Sequence, residues 1–273
     1  MITSISNAQV KEVIRLLSKA KERHTQGCFV AEGIKLFCET PEELRRRVYV
    51  SESFLQNPEH LEMMHSCGVV AENENSEEFV TAVTVSDDVF RKMSDTQTPQ
   101  GIMTVASIPE YSREQLLGNG VNPLVMVLED LQDPGNVGTI IRTAEGAGVT
   151  GIFMSSHTAD CFQPKVVRAT MGSVYRVPVR REDSLVELTD WLRSRGVTAY
   201  AAHLRGKRSY TREDYTGGTA FLIGNEGNGL SDRLTEAAGV LVRIPMEGKV
   251  ESLNAAVASA LLMYEAHRQR DEE

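Results

Sequence analysis

In the second half of the chain, short unbroken apolar runs alternate with segments whose apolar residues recur every three or four positions. The runs at 124–128, 151–154, 175–179, 199–202, 220–223 and 240–244 read as strands. The segments 137–147, 164–171, 185–195 and 253–268 read as helices, with a short turn near Ser231. Apolar runs without polar interruption need cover on both faces. The alternation therefore predicts an α/β fold, a mostly parallel sheet with helices on both sides.

The first half is less regular. Ser6 or Asn7 can cap a helix that runs to about Lys21, with Val10, Val13, Ile14 and Leu17 on its apolar face. Residues 28–30, 48–50, 68–71 and 101–106 read as strands, and 33–39 and 87–93 as helical. Pro, Gly and Asn mark both ends of 107–122, which reads as a linker around a short helix near Glu114. A division into 1–106, a linker at 107–122 and 123–273 follows, and each half is long enough to bury a core.

Charge changes the picture through its distribution. The formal net charge is −9. From Ser51 to Thr98 ten acidic residues face only Arg91 and Lys92, a balance of −8 that holds nearly all the excess. Two blocks carry cations and no acid apart from their flanks: Lys165, Arg168, Arg176, Arg180 and Arg181 in one, Arg193, Arg195, Arg205, Lys207, Arg208 and Arg212 in the other. Local patches, not the net value, govern attraction to phosphate. Lys11, Arg15 and Lys19 recur every four residues in the first helix, a stripe whose ordinary reading is a solvated face, with RNA contact the lesser alternative. No apolar run reaches membrane-spanning length and no signal-peptide pattern is present, so a cytoplasmic protein without a membrane partner is expected. Cys28, Cys38, Cys67 and Cys161 are scattered and read as buried free thiols, and the six histidines show no ligand spacing, so no metal is expected.

Three stretches carry candidate chemistry. The first, 133–148, reads DPGNVGTIIRTAEGAG after an apolar strand. Asn136 sits where a helix cap belongs, and Gly135 and Gly138 leave little bulk at the turn. Arg142 lies two residues from Ile140 and so points away from the buried stripe of Val137, Ile140, Ile141 and Ala144. The second, FLIGNEGNGLSD, places Gly224, Gly227 and Gly229 in a loop at the end of a strand, with Glu226 its only ionisable group up to Gly229. Loops at strand ends of an α/β sheet are where ligands bind. In the third, RIPMEGKVESLNAAVASALL, Ile244 ends a strand, a loop follows, and Ser252-Leu253-Asn254 opens a helix whose apolar side is Leu253, Val257, Ala260, Leu261 and Tyr264. A free helix N-terminus favours electron-rich groups. Gly146, Gly148 and Gly151 spell G-x-G-x-x-G, but they close a helix and lead into a strand, the reverse of a dinucleotide fingerprint.

Taken in order, the three stretches resemble the motifs of the SpoU/TrmH family of RNA ribose methyltransferases, within the SPOUT superfamily. SISNAQVKEVIRLL, CFVAEG and SDTQTPQGIMTVA are similar to the small ribosomal-protein-L30e-like α/β domain that binds RNA substrate in many members. The resemblance implies transfer of a methyl group from S-adenosylmethionine to a ribose 2′-hydroxyl, a trefoil knot at the cofactor loops and a homodimer. It implies cofactor contacts at Gly224, Ile244 and Leu253, with Gly227, Pro245 and Met246 beside them. It assigns functional side chains to Asn136, Arg142, Glu226, Ser252 and Asn254. Arg142 is expected to orient the hydroxyl and stabilise its developing charge, because a guanidinium stays protonated. Glu226 is the candidate proton acceptor, and Asn136 the holder of the turn. The added RNA domain favours ribosomal over transfer RNA. A non-catalytic RNA-binding protein that keeps the fold is the alternative, and a nucleotide-dependent oxidoreductase is the weaker third.

Overall fold

A computed structural model describes residues 1–72, 79–119, 122–250 and 252–271. Residues 73–78 of the acidic stretch, 120–121 of the linker, Glu251 of the third motif and 272–273 lie outside the described residues. The chain divides into two units, Met1–Pro109 with Phe162–Tyr175, and Glu110–Cys161 with Arg176–Glu273.

The first unit begins with α1 (Ala8–Ser18), capped by the Asn7 side chain, and α2 (Ala20–Gln26). The single helix expected there is thus broken at Lys19, whose backbone is extended. There follow β1 (Cys28–Glu32), α3 (Ile34–Glu39), β2 (Arg45–Ser51), α4 (Pro58–Ser66), β3 (Val69–Val70), β4 (Val80–Thr81), β5 (Val83–Val85), α5 (Asp87–Met93) and β6 (Ile102–Ser107). Strands β1, β6, β2 and β5 form one sheet in that order, antiparallel except for β2 beside β5. Period-two alternation sorts its side chains. Val30, Tyr49, Met103 and Val105 pack with Val10, Val13 and Leu16 of α1 and with Val89, Phe90 and Met93 of α5. Val48, Val50 and Ile102 pack instead with Phe37, Phe54 and Met64.

The second unit starts with α6 (Arg113–Leu116), closed by a capping box between Ser112 and Gln115. Leu116, inside the stretch read as linker, is fully buried in this unit's core. Next come β7 (Leu124–Leu128), α7 (Pro134–Gly146) and β8 (Gly151–Ser155). The chain then supplies α8 (Pro164–Thr170) to the first unit, where Phe29 of β1 meets Phe162 and Tyr175 at ring centroids of 4.9 and 5.9 Å. It returns as β9 (Val179–Glu182), α9 (Leu185–Ser194), β10 (Thr198–Ala202), β11 (Arg208–Ser209), β12 (Thr219–Ile223), α10 (Asp232–Ala238), β13 (Gly239–Arg243) and α11 (Ala255–Asp271). The strand expected at 175–179 lies later: Ser173–Tyr175 is a 3-10 turn, and pairing with β8 begins at Val179.

The seven strands run in the order β11-β13-β10-β12-β7-β8-β9, and every neighbouring pair is parallel. One face is sealed by Leu185, Leu188 and Leu192 of α9 and by Leu234 and Ala238 of α10, against Val125, Val127, Phe153, Ala201 and Leu222. Helices α7 and α11 supply the buried Val137, Ile140, Ile141, Leu262 and Met263. From β7 the chain moves outward to β8 and β9, then reappears on the far side and returns with β12 beside β7. The crevice at the carboxyl ends of β7 and β12 is therefore the switch point of the sheet, where the first two motifs meet. Among the described residues no helix is long and apolar enough to cross a membrane.

Candidate functional site

The loop after β7 and the loop after β12 are fastened by reciprocal hydrogen bonds. Glu129 extends the pairing by donating its N–H to the Ile223 carbonyl at 2.9 Å. Its carboxylate accepts from the backbone and the hydroxyl of Ser231, both at 2.7 Å. Asp130 adopts a left-handed backbone, φ 54°, and accepts from the Ser155 hydroxyl at 2.6 Å. Its carbonyl takes a 2.8 Å bond from Asn225 Nδ2.

In the opposite direction, Glu226 reaches back to the first motif. Its two carboxylate oxygens accept from the N–H groups of Gln132 and Asp133 at 3.0 and 3.1 Å, and Oε1 also accepts from Asn136 Nδ2 at 2.9 Å. Asn136 Oδ1 accepts from Asn254 Nδ2 at 2.8 Å. Asn254 Oδ1 in turn accepts from the N–H groups of Ala256 and Val257, which caps α11. A continuous line, Asn254 to Asn136 to Glu226, thus joins the third, first and second motifs. Partial burial raises the Glu226 pKa, but the bonds from Asn136, Gln132 and Asp133 outweigh it, and the net shift is downward.

The glycines are explained by crowding. A Cβ on Gly224 would lie 2.1 Å from the Gly229 carbonyl carbon and 2.2 Å from the Leu230 nitrogen, so only glycine lets the loop close on itself. Asn225 fills the loop, accepting from Gly227 and Asn228 at 2.9 and 3.1 Å.

The loops after β10, β12 and β13 wall a cavity of about 500 Å³. Gly224, Gly227, Ile244, Met246 and Leu253 border it, together with Glu226, Ser252 and Asn254. Pro245 is exposed and does not. Asn136 borders instead a neighbouring hollow of about 750 Å³ between α7 and α11, which Asn254 also lines. Arg142 borders neither. It stands exposed on the outer side of α7, one turn beyond Thr139 of that hollow, and forms no ion pair among the described residues.

The comparisons decide the family. Residues 123–264 match the SpoU rRNA methylase family, and residues 7–104 match the MRM3-like substrate binding domain. The chain belongs to the SpoU rRNA methylase family. It is 33% identical over 267 residues to the 23S rRNA (guanosine(2553)-2′-O)-methyltransferase RlmP of Bacillus subtilis, covering 96% of this chain and 97% of that one. Among solved structures it is similar to the AdoMet-bound rRNA methyltransferase of Sinorhizobium meliloti, with a TM-score of 0.81, 31% identity and coverage of 98% and 97%. It is also similar to the SpoU methyltransferase AviRb of Streptomyces viridochromogenes in complex with AdoMet, with a TM-score of 0.83, 26% identity and coverage of 98% and 100%.

Within this SpoU site, three expectations need correction. Asn136 is not the cap of α7. Asp133 caps it, accepting from Asn136 N–H at 2.8 Å, and the helix starts three residues earlier than its apolar pattern suggested because Pro134 suits a first turn. Asn136 is instead the third helical residue, 9% exposed, with its side chain free to join two other motifs. Helix α11 starts at Ala255, so Ser252-Leu253-Asn254 precedes it. Its buried side is Ala255, Ala256, Ser259, Leu262, Met263 and Ala266, while Val257 and Tyr264 of the expected apolar stripe are each 49% exposed.

The basic blocks are also largely engaged. Arg176 pairs with Glu145 and Arg180 with Glu182, while Arg181 donates to the Ser155, Ser156 and Thr158 carbonyls. Arg193 pairs with Asp190, Arg195 with Glu114 and Arg208 with Glu213. Of the four free thiols, Cys38 is exposed rather than buried. Sequence reading missed the third wall of the cavity, Ala202, His203 and Leu204. Their one signal was position, directly after an apolar strand of the parallel sheet.

Proposed function

We propose that this chain binds S-adenosylmethionine in the 500 Å³ cavity and transfers its methyl group to a ribose 2′-hydroxyl of ribosomal RNA in the cytoplasm. The observation that carries the reading is the cavity walled by the loops of the second and third motifs, with the line Asn254–Asn136–Glu226 tying the first motif to both. The cavity suits the cofactor in size and lining, with apolar Ile223, Leu230, Ile244 and Leu253 against a glycine-rich loop. Bound there, the cofactor supplies an electrophilic methyl on a sulfonium.

The protein's own residues do the rest. Gly224, Gly227, Ile244, Met246 and Leu253 seat the cofactor, and Ser252 borders it. Glu226 is a positioning residue. Its oxygens already hold three donors and its pKa is lowered, which makes it a poor proton acceptor. Arg142, exposed and without an ion pair among the described residues, is available to the RNA, where it orients the hydroxyl and stabilises the negative charge that grows as the proton passes to water. Aligning nucleophile and methyl contributes up to about 7–11 kcal/mol.

Ribosomal RNA is favoured because the relative named for 23S rRNA matches both units. A homodimer belongs to the same proposal. Outward Val257 and Tyr264, with Leu261, line the hollow beside the site, and a second copy of this chain is its assigned cover. The trefoil knot does too. Its support is membership of the family whose motifs imply it. Mapping 2′-O-methyl positions in ribosomal and transfer RNA from cells with and without the protein tests the reading. Loss of a ribosomal site supports it; loss confined to transfer RNA, or no loss, overturns it.

A further inference from the structure

Most arginines of the second unit's basic blocks are already spent on carboxylates or carbonyls, but one row of cations in the first unit is not. Lys11 and Arg15 stand one turn apart on the solvent side of α1, and Lys19 follows at its C-cap. All three are exposed, and none forms an ion pair among the described residues. The neighbouring carboxylates are turned elsewhere. Glu12 pairs with Arg47 at 3.2 Å, and Glu22 accepts from Gln26 Nε2 at 3.1 Å.

Folding does not require this row. The opposite side of α1 anchors the helix through Val10, Val13 and Leu16, and Asn7 caps its start. Lys19 complements the C-terminal end of the helix dipole, but Lys11 lies in the second half turn, where a cation gains nothing from it. Like charges four residues apart repel. The row is thus a local cost kept on a chain whose net charge is −9. The step from Lys11 to Arg15 advances about 6 Å along the helix and Lys19 continues the row at the C-cap, so the cations can follow one strand of a polyanion.

We propose that this face of α1 is a docking surface for the sugar–phosphate backbone of the RNA substrate, an inference that rests on the function assigned above. Backbone contacts fix register and orientation and carry no base preference. The surface therefore strengthens binding of any RNA of suitable shape and leaves the choice of nucleotide to other contacts.

The test compares the full chain with its K11Q/R15Q/K19Q variant, using purified large-subunit ribosomal RNA as the probe across a series of KCl concentrations. Neutralising phosphates releases counterions, so the slope of log affinity against log salt should become shallower by about two to three in the variant, with affinity at least about tenfold weaker at low salt. S-adenosylmethionine affinity should be unchanged and the melting temperature should not fall, and K11R/R15K/K19R should restore the slope. Equal affinity and equal slope in the triple variant would overturn the proposal. So would weakening that the charge-keeping variant shares. A wild-type chain that binds the RNA but no S-adenosylmethionine would instead count against the assigned function and leave this surface standing.

Discussion

Glu226 is a loop carboxylate whose value lies in three donors, the Gln132 and Asp133 N–H groups and the Asn136 amide. Because its folded pKa is lowered, its contribution to stability is complete above the ordinary carboxylate range, about 4.3, and is lost as pH falls through the lower folded value. Cofactor affinity should therefore be insensitive to this group from pH 8 to pH 5. Glu226→Ala should cost about 1 kcal/mol of stability, discounted for the residue's exposure, and weaken S-adenosylmethionine binding by about tenfold. Calorimetric titration and thermal melting at pH 7 check both, and an unaltered affinity would remove Glu226 from the positioning role. At this scale the sequence announced residue identity better than residue task. Asn136 and Asn254 stood out by motif, but their shared hydrogen bond joins positions 118 apart in the chain, and no local pattern encodes such a pairing. Asp133, one residue before a proline, carried the signal for the true cap of α7.

Among the elements, the inner strands of the parallel sheet were legible because each is an unbroken apolar run that must be covered on both faces. β7 coincides with its expected span, and β8, β10, β12 and β13 differ by one residue at one or both ends. By contrast β9, with two arginines and a glutamate, lies four residues later, and the two-residue β11 had no signal. Helix α11 was misread on its faces for a physical reason. It packs through small residues, Ala255, Ala256, Ser259 and Ala266, which permit close approach, whereas periodicity gives weight to the large Val257 and Tyr264 that point outward. The cofactor loop offers a sharper test at this scale. Gly224→Ala puts a Cβ about 2.1 Å from backbone atoms of Gly229, and backbone cannot yield as a flexible side chain would. The variant should lose S-adenosylmethionine binding while β12, buried along its whole length, keeps the unit folded. Measured affinity equal to wild type would mean that the loop does not shape the site.

For the whole molecule, charge placement and apolar exposure matter more than totals. The acidic stretch sets the net charge, the arginines of the basic blocks mostly engage their own unit, and Lys11, Arg15, Lys19 and Arg142 form no ion pair among the described residues. The pattern shifts near residue 107 and the second unit begins at Glu110, but the return of 162–175 to the first unit has no signal in the sequence, because that segment has the same strand–helix character as its surroundings. If a second copy covers the α11 face, V257D/Y264D should yield a monomer in sedimentation velocity at concentrations where the wild type is a dimer. A wild-type monomer, or a variant that still dimerises, would contradict that assembly.

A cofactor seated by the second and third motifs reacts under the influence of Arg142, which the first motif supplies, and one paired measurement decides whether this is so. Wild type and Arg142→Ala are compared for S-adenosylmethionine affinity and for transfer of its labelled methyl to unmodified large-subunit ribosomal RNA, with the product scored for alkali-resistant ribose linkages. The account predicts equal affinities and a transfer rate about 10²–10³-fold lower in the variant. Near-normal transfer by Arg142→Ala, or label on a base instead of a ribose, would contradict it.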